Sequence, residues 1–255
     1  MAIFITGDTH GDFFRLGKRG FRELNGLTKE DYVIICGDFG GVWCDSKEEQ
    51  ATLDWLDGRP FTTLFISGNH ENYDLLARYP LMEWNGGLVQ AIRPSILHLT
   101  RGQVFTLAGK TFFTMGGASS HDVSDGILDP KDPLLRRKVR QLNARGALFR
   151  IDHLSWWKEE LPSEAEQQAA MASLDRVGWK VDYIVTHCAP TSIQQALSPE
   201  LYQPDRLTDF LEEIQQRCTF SHWFFGHYHD NKAIGQKFIL LYEDLIELPP
   251  DDAVR

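Results

Sequence analysis

The stretch "AIFITGDTHGD", residues 2–12, joins a short apolar run to a group of polar residues. The run contains β-branched and aromatic side chains, which are typical of strands, and it stops at Gly7. Asp8 and His10 follow at once. Ligands of open α/β folds bind beyond the carboxyl ends of parallel strands. The stretch therefore predicts a β-strand that ends in two candidate ligand residues.

The same arrangement of apolar run and polar residues recurs along the chain. The later runs are "DYVIIC" before Gly37 and Asp38, "FTTLFIS" before Gly68, Asn69 and His70, "VDYIVTH" ending at His187, and "HWFF" before Gly226, His227 and His229. Near-continuous apolar runs are typical of strands that are covered on both faces. Between the early runs, residues 46–57 place Leu53 and Leu56 on one side of a candidate helix. This alternation predicts α/β architecture with a partly parallel sheet.

Residues 94–180 depart from the alternation in two ways. From about residue 94 to residue 115 the candidate strands follow one another closely, which predicts a β-meander and either two sheets or one mixed sheet. From about 120 to 180 we expect a mainly helical excursion, with helices in "HLSWWKEELP" (153–162) and "SEAEQQAAMASLDRVGW" (163–179). Ser163 and Glu166 have the spacing of a capping box.

The composition of the 255 residues limits the class of protein. Hydrophobic residues make up 42% and charged residues 24%, which fits one large domain, so we expect a single domain over residues 1–255. The net charge of −10 argues against broad nucleic-acid binding, but an anionic substrate stays possible because a bound cation reverses the local field. The four cysteines lack paired spacing, so we expect reduced thiols. With no signal-peptide pattern and no apolar run of ~20 residues, we expect a cytoplasmic protein without a membrane partner.

The polar residues at the strand ends have ordinary explanations when each is taken alone. Asp-x-His is common in turns, a single histidine such as His187 is more often a buried residue with satisfied hydrogen bonds, and His-x-His also occurs on solvated strands. The whole set is harder to explain in this way. Five of the nine histidines lie in strand-end motifs, in order with two aspartates and an asparagine. Carboxylate, imidazole and amide ligands suit Zn²⁺, Mn²⁺ or Fe, so the set predicts a metal site.

The ordered series Asp-x-His, Gly-Asp, Gly-Asn-His-Glu, His and Gly-His-x-His resembles the calcineurin-like metallophosphoesterase superfamily. The matching motifs span residues 8–229, which is nearly the whole chain. The resemblance implies a four-layer α/β/β/α sandwich, in which helices flank two mixed sheets. It also implies two divalent metal ions (Mn, Fe or Zn) at the edge of the sheets and a metal-bridging hydroxide that attacks phosphorus, which is the usual chemistry of two-metal sites.

The resemblance also implies a role for each strand-end residue. Asp8, His10 and His229 would hold one metal, Asn69, His187 and His227 would hold the other, and Asp38 would bridge both. The two histidines of the last motif would then serve different metals, which the His-x-His spacing alone does not reveal. His70 would contact the substrate phosphate or protonate the leaving group, since imidazole titrates near neutral pH.

The second motif departs from the Ser/Thr protein phosphatase branch of the superfamily. That branch has Gly-Asp-x-x-Asp-Arg-Gly, whereas residues 37–43 are "GDFGGVW", with Gly41 and Val42 in place of the second aspartate and the arginine. In that branch the aspartate orients the catalytic histidine and the arginine grips phosphate. We therefore expect a bacterial-type phosphoesterase outside that branch. Glu71, Asp45 and a backbone carbonyl are all candidates to orient His70.

Phosphate recognition then has to come from elsewhere in the chain. Residues 129–150, "DPKDPLLRRKVRQLNARGALFR", carry seven basic side chains, and we expect Arg136 or Arg137 to reach the substrate. A solvated, charged helix face is the alternative for this run. His121 and Asp122 in "GGASSHD" are candidates to line the pocket or, alternatively, to cap the next segment.

These features predict a metal-dependent phosphoesterase that hydrolyses a small phosphodiester or phosphomonoester. A phosphoprotein phosphatase and a nuclease are the alternatives. The missing aspartate and arginine weaken the first, and the net charge of −10 weakens the second, although a basic surface from residues 131–150 would favour it. A non-catalytic metal-binding scaffold is less favoured, because all seven ligand positions and His70 are present. The native metal and the oligomeric state stay open.

Overall fold

Two mixed β-sheets form the centre of the structure, a computed structural model that describes residues 1–198, 200 and 202–249. The first sheet has seven strands, which are β1 (Ile3–Thr6), β2 (Tyr32–Ile35), β3 (Thr62–Phe65), β4 (Leu81–Trp84), β5 (Gly87–Arg93), β6 (Ile96–Leu99) and β15 (Leu245–Glu247). The second has six, which are β7 (Gln103–Leu107), β8 (Lys110–Met115), β11 (Tyr183–Thr186), β12 (His222–Phe225), β13 (Lys232–Ile234) and β14 (Phe238–Leu240). The strands β9 (Ile127–Leu128) and β10 (Arg150–Ile151) form a separate parallel ribbon.

Both sheets have four parallel strands in the centre and antiparallel strands at the edges. In the first sheet β1, β2, β3 and β6 are parallel, β15 and β5 run the other way on either side of them, and the edge strand β4 is antiparallel to β5. In the second sheet β8, β11, β12 and β14 are parallel, and β7 and β13 are the antiparallel edges. Parallel neighbours end on the same side of a sheet, so the segments that follow β1, β2 and β3 lie together, as do those that follow β11 and β12.

Helices connect the strands and cover the sheets. The α-helices of the described residues are α1 (Lys47–Asp57), α2 (Tyr73–Leu76), α3 (Leu135–Ala144), α4 (Glu164–Arg176), α5 (Thr191–Leu197) and α6 (Arg206–Arg217), with 3₁₀ turns at Phe14–Leu16, Arg22–Gly26 and Lys158–Glu160. The Ser46 side chain caps α1, and Ser163 and Glu166 form the predicted capping box of α4. Among the helices of the described ranges, none combines the length and the apolar character needed to cross a membrane.

Three apolar layers hold the four structural layers together. Between the sheets, residues such as Ile5 and Leu64 pack against Val185 and Phe224. The outer face of the first sheet packs on α1, and the outer face of the second packs on α4 and α6. Each central strand is therefore buried on both faces, which explains the near-continuous apolar runs. The predicted α/β/β/α sandwich is confirmed.

Two local predictions are wrong. The expectation of two sheets for residues 94–115 is confirmed, but these strands do not form one continuous β-meander, because β6 pairs with β3 and β5 in the first sheet while β7 pairs with β8 in the second. Residues 153–162 are not a helix apart from the 3₁₀ turn. Trp157 lies buried there in extended backbone and donates to the Asp74 carboxylate at 2.8 Å, so packing and a specific hydrogen bond override the local pattern. The excursion around 120–180 holds α3, α4 and the small ribbon.

Candidate metal centre

Five strand ends deliver the polar residues of the motifs to one place between the sheets. Asp8 and His10 follow β1, Asp38 follows β2, Asn69 and His70 follow β3, His187 follows β11, and His227 and His229 follow β12. The two sheets meet at these ends. The His229 Nε2 atom of the second sheet lies 3.3 Å from Asp8 Oδ2 of the first, and His187 Nε2 lies 3.2 Å from Asp38 Oδ1.

The first cluster consists of Asp8, His10, Asp38 and His229, and its four candidate ligand atoms all lie within 4.8 Å of one another. The Nε2 atoms of His10 and His229 are 3.1 Å apart, and His10 Nδ1 is 3.8 Å from Asp38 Oδ2. Metal–ligand bonds of about 2.0–2.2 Å to nitrogen and oxygen place ligand atoms at separations of this order. The cluster therefore fits one divalent cation.

The second cluster is built around His187. Its Nε2 atom lies 3.2 Å from Asn69 Oδ1 and 3.2 Å from Asp38 Oδ1, and the His187 and His227 ring centroids are 5.0 Å apart. The His187 Nδ1 atom lies 2.7 Å from the Cys36 carbonyl and donates to it, which leaves the Nε2 lone pair for the cluster. A ring nitrogen held in this way is typical of metal-binding histidines.

Asp38 is common to both clusters. Its Oδ2 atom faces His10 and its Oδ1 atom faces His187. A carboxylate with one oxygen toward each cluster has the arrangement that a bridging ligand requires. The donor set contains no thiolate, and the nearby Cys36 and Cys188 are buried free thiols whose pKa values are raised by burial. The donors are therefore imidazole, carboxylate and amide, which suit Mn, Fe or Zn.

The backbone of the site lies in an uncommon conformation. Four of the seven candidate ligands have positive φ angles, at 48° for His10, 46° for Asp38, 70° for His227 and 50° for His229. Residues other than glycine seldom adopt this region, and each instance costs of order 1–3 kcal/mol. Strain of this kind persists where surrounding contacts enforce it, and it clusters at functional sites.

Glycines allow the strand ends to approach each other closely. A Cβ atom on Gly68 would overlap the Asp38 carboxylate, and one on Gly226 would overlap the Asp8 carboxylate. These two glycines, which stand before Asn69 and His227, therefore provide space for a ligand from the neighbouring strand end. At these two positions the required space, rather than an unusual backbone conformation, explains the glycine.

Asp8 and Asp38 give the site its negative charge, and they are only 2% and 1% exposed. Burial acts to raise the pKa of Asp38, but the charges of His187, His70 and His10 outweigh it and hold that pKa well below its usual range. Burial acts to lower the pKa of His187, but Asp38 and Asp8 raise it to about 9. Because a metal-bound imidazole must be neutral, a cation at this site has to displace a proton from His187.

Comparison with known proteins matches residues 1–231 to the model of the family described as "Calcineurin-like phosphoesterase". This chain belongs to the calcineurin-like phosphoesterase family. The predicted membership is confirmed, and with it, at the level of the family, the prediction of a phosphoric ester hydrolase.

Two curated relatives are similar to the chain at low identity. A lariat debranching enzyme of Danio rerio is 23% identical over 264 residues, which cover 90% of this chain and 40% of the relative. Lariat debranching enzyme A of Xenopus laevis is 26% identical over 156 residues, which cover 55% of this chain and 28% of the relative. The chain thus spans less than half the length of either relative.

His70 lies beside the centre of this calcineurin-like phosphoesterase without joining either cluster. Its backbone N–H donates to Asp38 Oδ1 at 2.8 Å, and its ring lines a cavity of about 300 Å³ with His10, Gly40 and Trp43. Burial lowers the pKa of His70; Asp38 opposes this effect and the positive charge of Arg150 adds to it. Trp43 was not predicted, although it ends the "GDFGGVW" motif.

Two of the candidates to orient His70 have other hydrogen-bond partners. Glu71 Oε1 accepts from Phe39 N at 2.8 Å, and burial with the nearby Asp38 charge raises the Glu71 pKa to about 8. Asp45 Oδ1 accepts from Gln50 Nε2 at 2.9 Å. Glu71 therefore secures the loop that carries Asp38, and Asp45 secures the start of α1.

The candidate substrate residues are separated in the structure. His121 Nε2 lies 2.7 Å from His227 Nε2, and Asp122 forms an ion pair with Arg150, close enough to His70 for both charges to affect its pKa. Arg136 and Arg137 are exposed on α3, and within the described residues neither has a hydrogen bond or ion pair with the site. Arg150 is therefore the member of the basic run that approaches His70.

We expect Gly68→Ala to reduce the bound metal, because the new Cβ displaces the bridging candidate Asp38. Metal affinity should fall by at least about 10- to 100-fold, which is the usual loss when a metal ligand is no longer held in its orientation. Metal content after Mn²⁺ loading, together with calorimetric titration, measures this effect. Gly26→Ala is the matched control, because no atom lies within 4 Å of its added Cβ. A folded Gly68→Ala protein with wild-type Mn²⁺ content would contradict the assignment.

Proposed function

We propose that the protein is a metal-dependent phosphoesterase that hydrolyses a P–O bond of a small phosphodiester or phosphomonoester. The observation that carries the proposal is the convergence of seven imidazole, carboxylate and amide side chains from five strand ends, with Asp38 between two clusters. We further propose that residues 1–255 act as one catalytic domain. A cytoplasmic location is proposed on the basis of the four cysteines, which are free.

The chain's own residues would hold two divalent ions of Mn, Fe or Zn. Asp8, His10 and His229 would hold one, Asn69, His187 and His227 the other, and Asp38 both. When bound, two such ions supply Lewis acidity toward phosphoryl oxygens and lower the pKa of water to near neutral. The protein would contribute ligands that are positioned before the substrate arrives, because four of them are buried, which leaves those side chains few alternative positions: Asp8, Asp38, Asn69 and His187.

His70 would protonate the oxygen of the leaving group. The backbone N–H of His70 donates a hydrogen bond to Asp38, and the His70 ring lines the cavity with His10 and Trp43. A protonated imidazole at this position would donate its proton to the departing oxygen, which assists the departure of a poor leaving group. The cavity of about 300 Å³ is at the small end of ligand sites, which supports a small phosphoester.

Arg150 would bind the phosphate in place of the arginine that is missing at Val42. It forms an ion pair with Asp122, and its charge acts on His70. Guanidinium groups bind phosphate oxygens in a bidentate manner, which would orient the ester between His70 and the clusters. His121 would line the same side, beside His227. Arg136 and Arg137 stay predictions, without a contact that supports them.

A second candidate function is favoured by the names of the relatives. Both are lariat debranching enzymes, so a lariat substrate is the alternative to a small ester. The exposed basic helix α3 is compatible with a larger anionic substrate. A phosphoprotein substrate is less favoured, because Gly41 and Val42 stand where that branch has its aspartate and arginine.

We expect His70→Asn to lower kcat by about 10²- to 10⁴-fold on alkyl phosphoesters, the usual contribution of a general acid. The loss should shrink for p-nitrophenyl esters, because that leaving group needs no proton. Mn²⁺ content should stay at the wild-type level, and His222→Asn, in β12 away from the clusters, is the matched control. An equal loss for all leaving groups would exclude the acid role. If the wild-type protein hydrolyses a lariat substrate and none of the small esters, the second candidate function is favoured.

We expect Arg150→Gln to lower kcat/KM by about 10- to 100-fold, which corresponds to ~1.5–3 kcal/mol for a hydrogen bond to a charged group. Steady-state kinetics with a phosphomonoester and a phosphodiester measure the change. Arg136→Gln is the control of identical chemistry, and its kcat/KM should equal that of the wild type within twofold, roughly, as for most surface substitutions. The reverse result, with Arg136 sensitive and Arg150 not, would restore the sequence-based assignment.

A further inference from the structure

A chain of hydrogen bonds leads from the candidate ligand Asn69 into the excursion. Asn69 Nδ2 lies 3.3 Å from Ser120 Oγ, and Ser120 Oγ lies 2.6 Å from Glu160 Oε2. The backbone N–H of Ser120 donates to the other carboxylate oxygen, Glu160 Oε1, at 3.0 Å. Asn69 is 6% exposed and Glu160 is 4% exposed, so both ends of this series of hydrogen bonds are buried, while Ser120 between them is partly exposed.

The chemistry of these groups gives the chain a direction. An ionised carboxylate only accepts hydrogen bonds, so the hydroxyl proton of Ser120 points to Glu160. The Ser120 oxygen then offers lone pairs to Asn69 and accepts from its NH₂ group. The opposite end of the amide, Oδ1, is thereby turned toward His187 Nε2, at 3.2 Å. An amide can bind a cation through its oxygen but not through its NH₂ group.

Glu160 is itself held in place by a buried cation. Arg101 is 8% exposed, and its Nη2 atom donates to the carbonyls of Glu159 at 2.7 Å and Glu160 at 3.1 Å. The same Nη2 atom donates to Tyr73 Oη at 2.7 Å, and Tyr73 Oη donates to the Gly68 carbonyl at 2.6 Å. Arg101 thus contacts the backbone of Glu160 and, through Tyr73, the backbone before Asn69.

We propose that Glu160 and Ser120 are positioning residues that select the amide orientation of Asn69 and so set the metal affinity of the cluster formed with His187 and His227. The inference rests on the proposed function, because it takes Asn69 as a metal ligand. It gives the excursion a role in the metal centre. It requires no contact of Glu160 or Ser120 with the metal or with the substrate.

The substitution Glu160→Gln tests the donor–acceptor direction of the hydrogen bonds between Asn69, Ser120 and Glu160. The glutamine side chain has one amide oxygen and one NH₂ group. The backbone N–H of Ser120 has a fixed position and needs an acceptor, so the amide oxygen faces that N–H. The NH₂ group then faces Ser120 Oγ and donates to it. The hydroxyl proton of Ser120 is left to point at Asn69, which favours the inverted amide with its NH₂ group toward the cluster.

The experiment is a calorimetric titration of metal-free, full-length protein with Mn²⁺. For Glu160→Gln we expect one of two binding events to weaken by about 10- to 100-fold, the usual cost of losing an outer-shell partner, with the other unchanged. Glu159→Gln, the same change one residue away, should bind like the wild type. Ser120→Ala in the Glu160→Gln protein should restore part of the affinity, because no hydroxyl proton then opposes the correct amide.

The outcomes separate this inference from the proposed function. Two unchanged Mn²⁺ affinities in Glu160→Gln, or losses for Ser120→Ala and Glu160→Gln that simply add, would overturn the positioning role alone. Absence of Mn²⁺ binding by the wild-type protein would overturn the proposed function and the inference with it. Thermal unfolding of each metal-free variant verifies that it is folded, and the partial rescue by Ser120→Ala is a result that a merely destabilised variant would not give.

Discussion

Burial of Asp8 and Asp38 between the two sheets is the constraint on which the candidate site depends. A buried carboxylate without compensating groups is strongly destabilising, so each oxygen needs donors or positive charge. The backbone N–H of His227 lies 3.1 Å from both Asp8 oxygens, and that of His70 donates to Asp38 at 2.8 Å. Each backbone that supplies these donors also carries a motif histidine. Stabilising the two charges therefore places the histidines around them, at the cost of left-handed backbone at four positions.

The sheets and the excursion contribute different parts of the centre. The strand ends supply all seven candidate ligands, which makes their positions a property of the rigid core. The excursion supplies Ser120 and Glu160 behind Asn69, and Arg150 beside His70. The excursion has fewer buried apolar side chains than the two sheets, and α3 has none. The family's chemistry would accordingly belong to the core, and the choice of substrate to residues that the excursion brings to its edge.

Much of the fold and of the site was predictable from the sequence, because strand ends in parallel sheets converge whatever the loops between them do. What could not be predicted depends on distant contacts. The seven basic side chains of residues 129–150 directed the prediction to Arg136 and Arg137, but α3 is exposed, and Arg150 in β10 is the member of the run that lies near His70. The helix expected at 153–162 gives way to the bond between Trp157 and Asp74. The spacing of residues in the sequence also does not indicate the hydrogen bonds that join Glu160, Ser120 and Asn69.

Electron paramagnetic resonance of the Mn²⁺-loaded protein tests most directly whether Asp38 joins two adjacent metal sites. Two ions that share a carboxylate at the ~3.5–4 Å spacing of two-metal centres are magnetically coupled. With two equivalents of Mn²⁺ per chain, we expect the multiline spectrum of a coupled pair, and we expect Asp38→Asn to weaken the coupling. A spectrum of isolated Mn²⁺ ions, or saturation at one ion per chain, would contradict this role of Asp38.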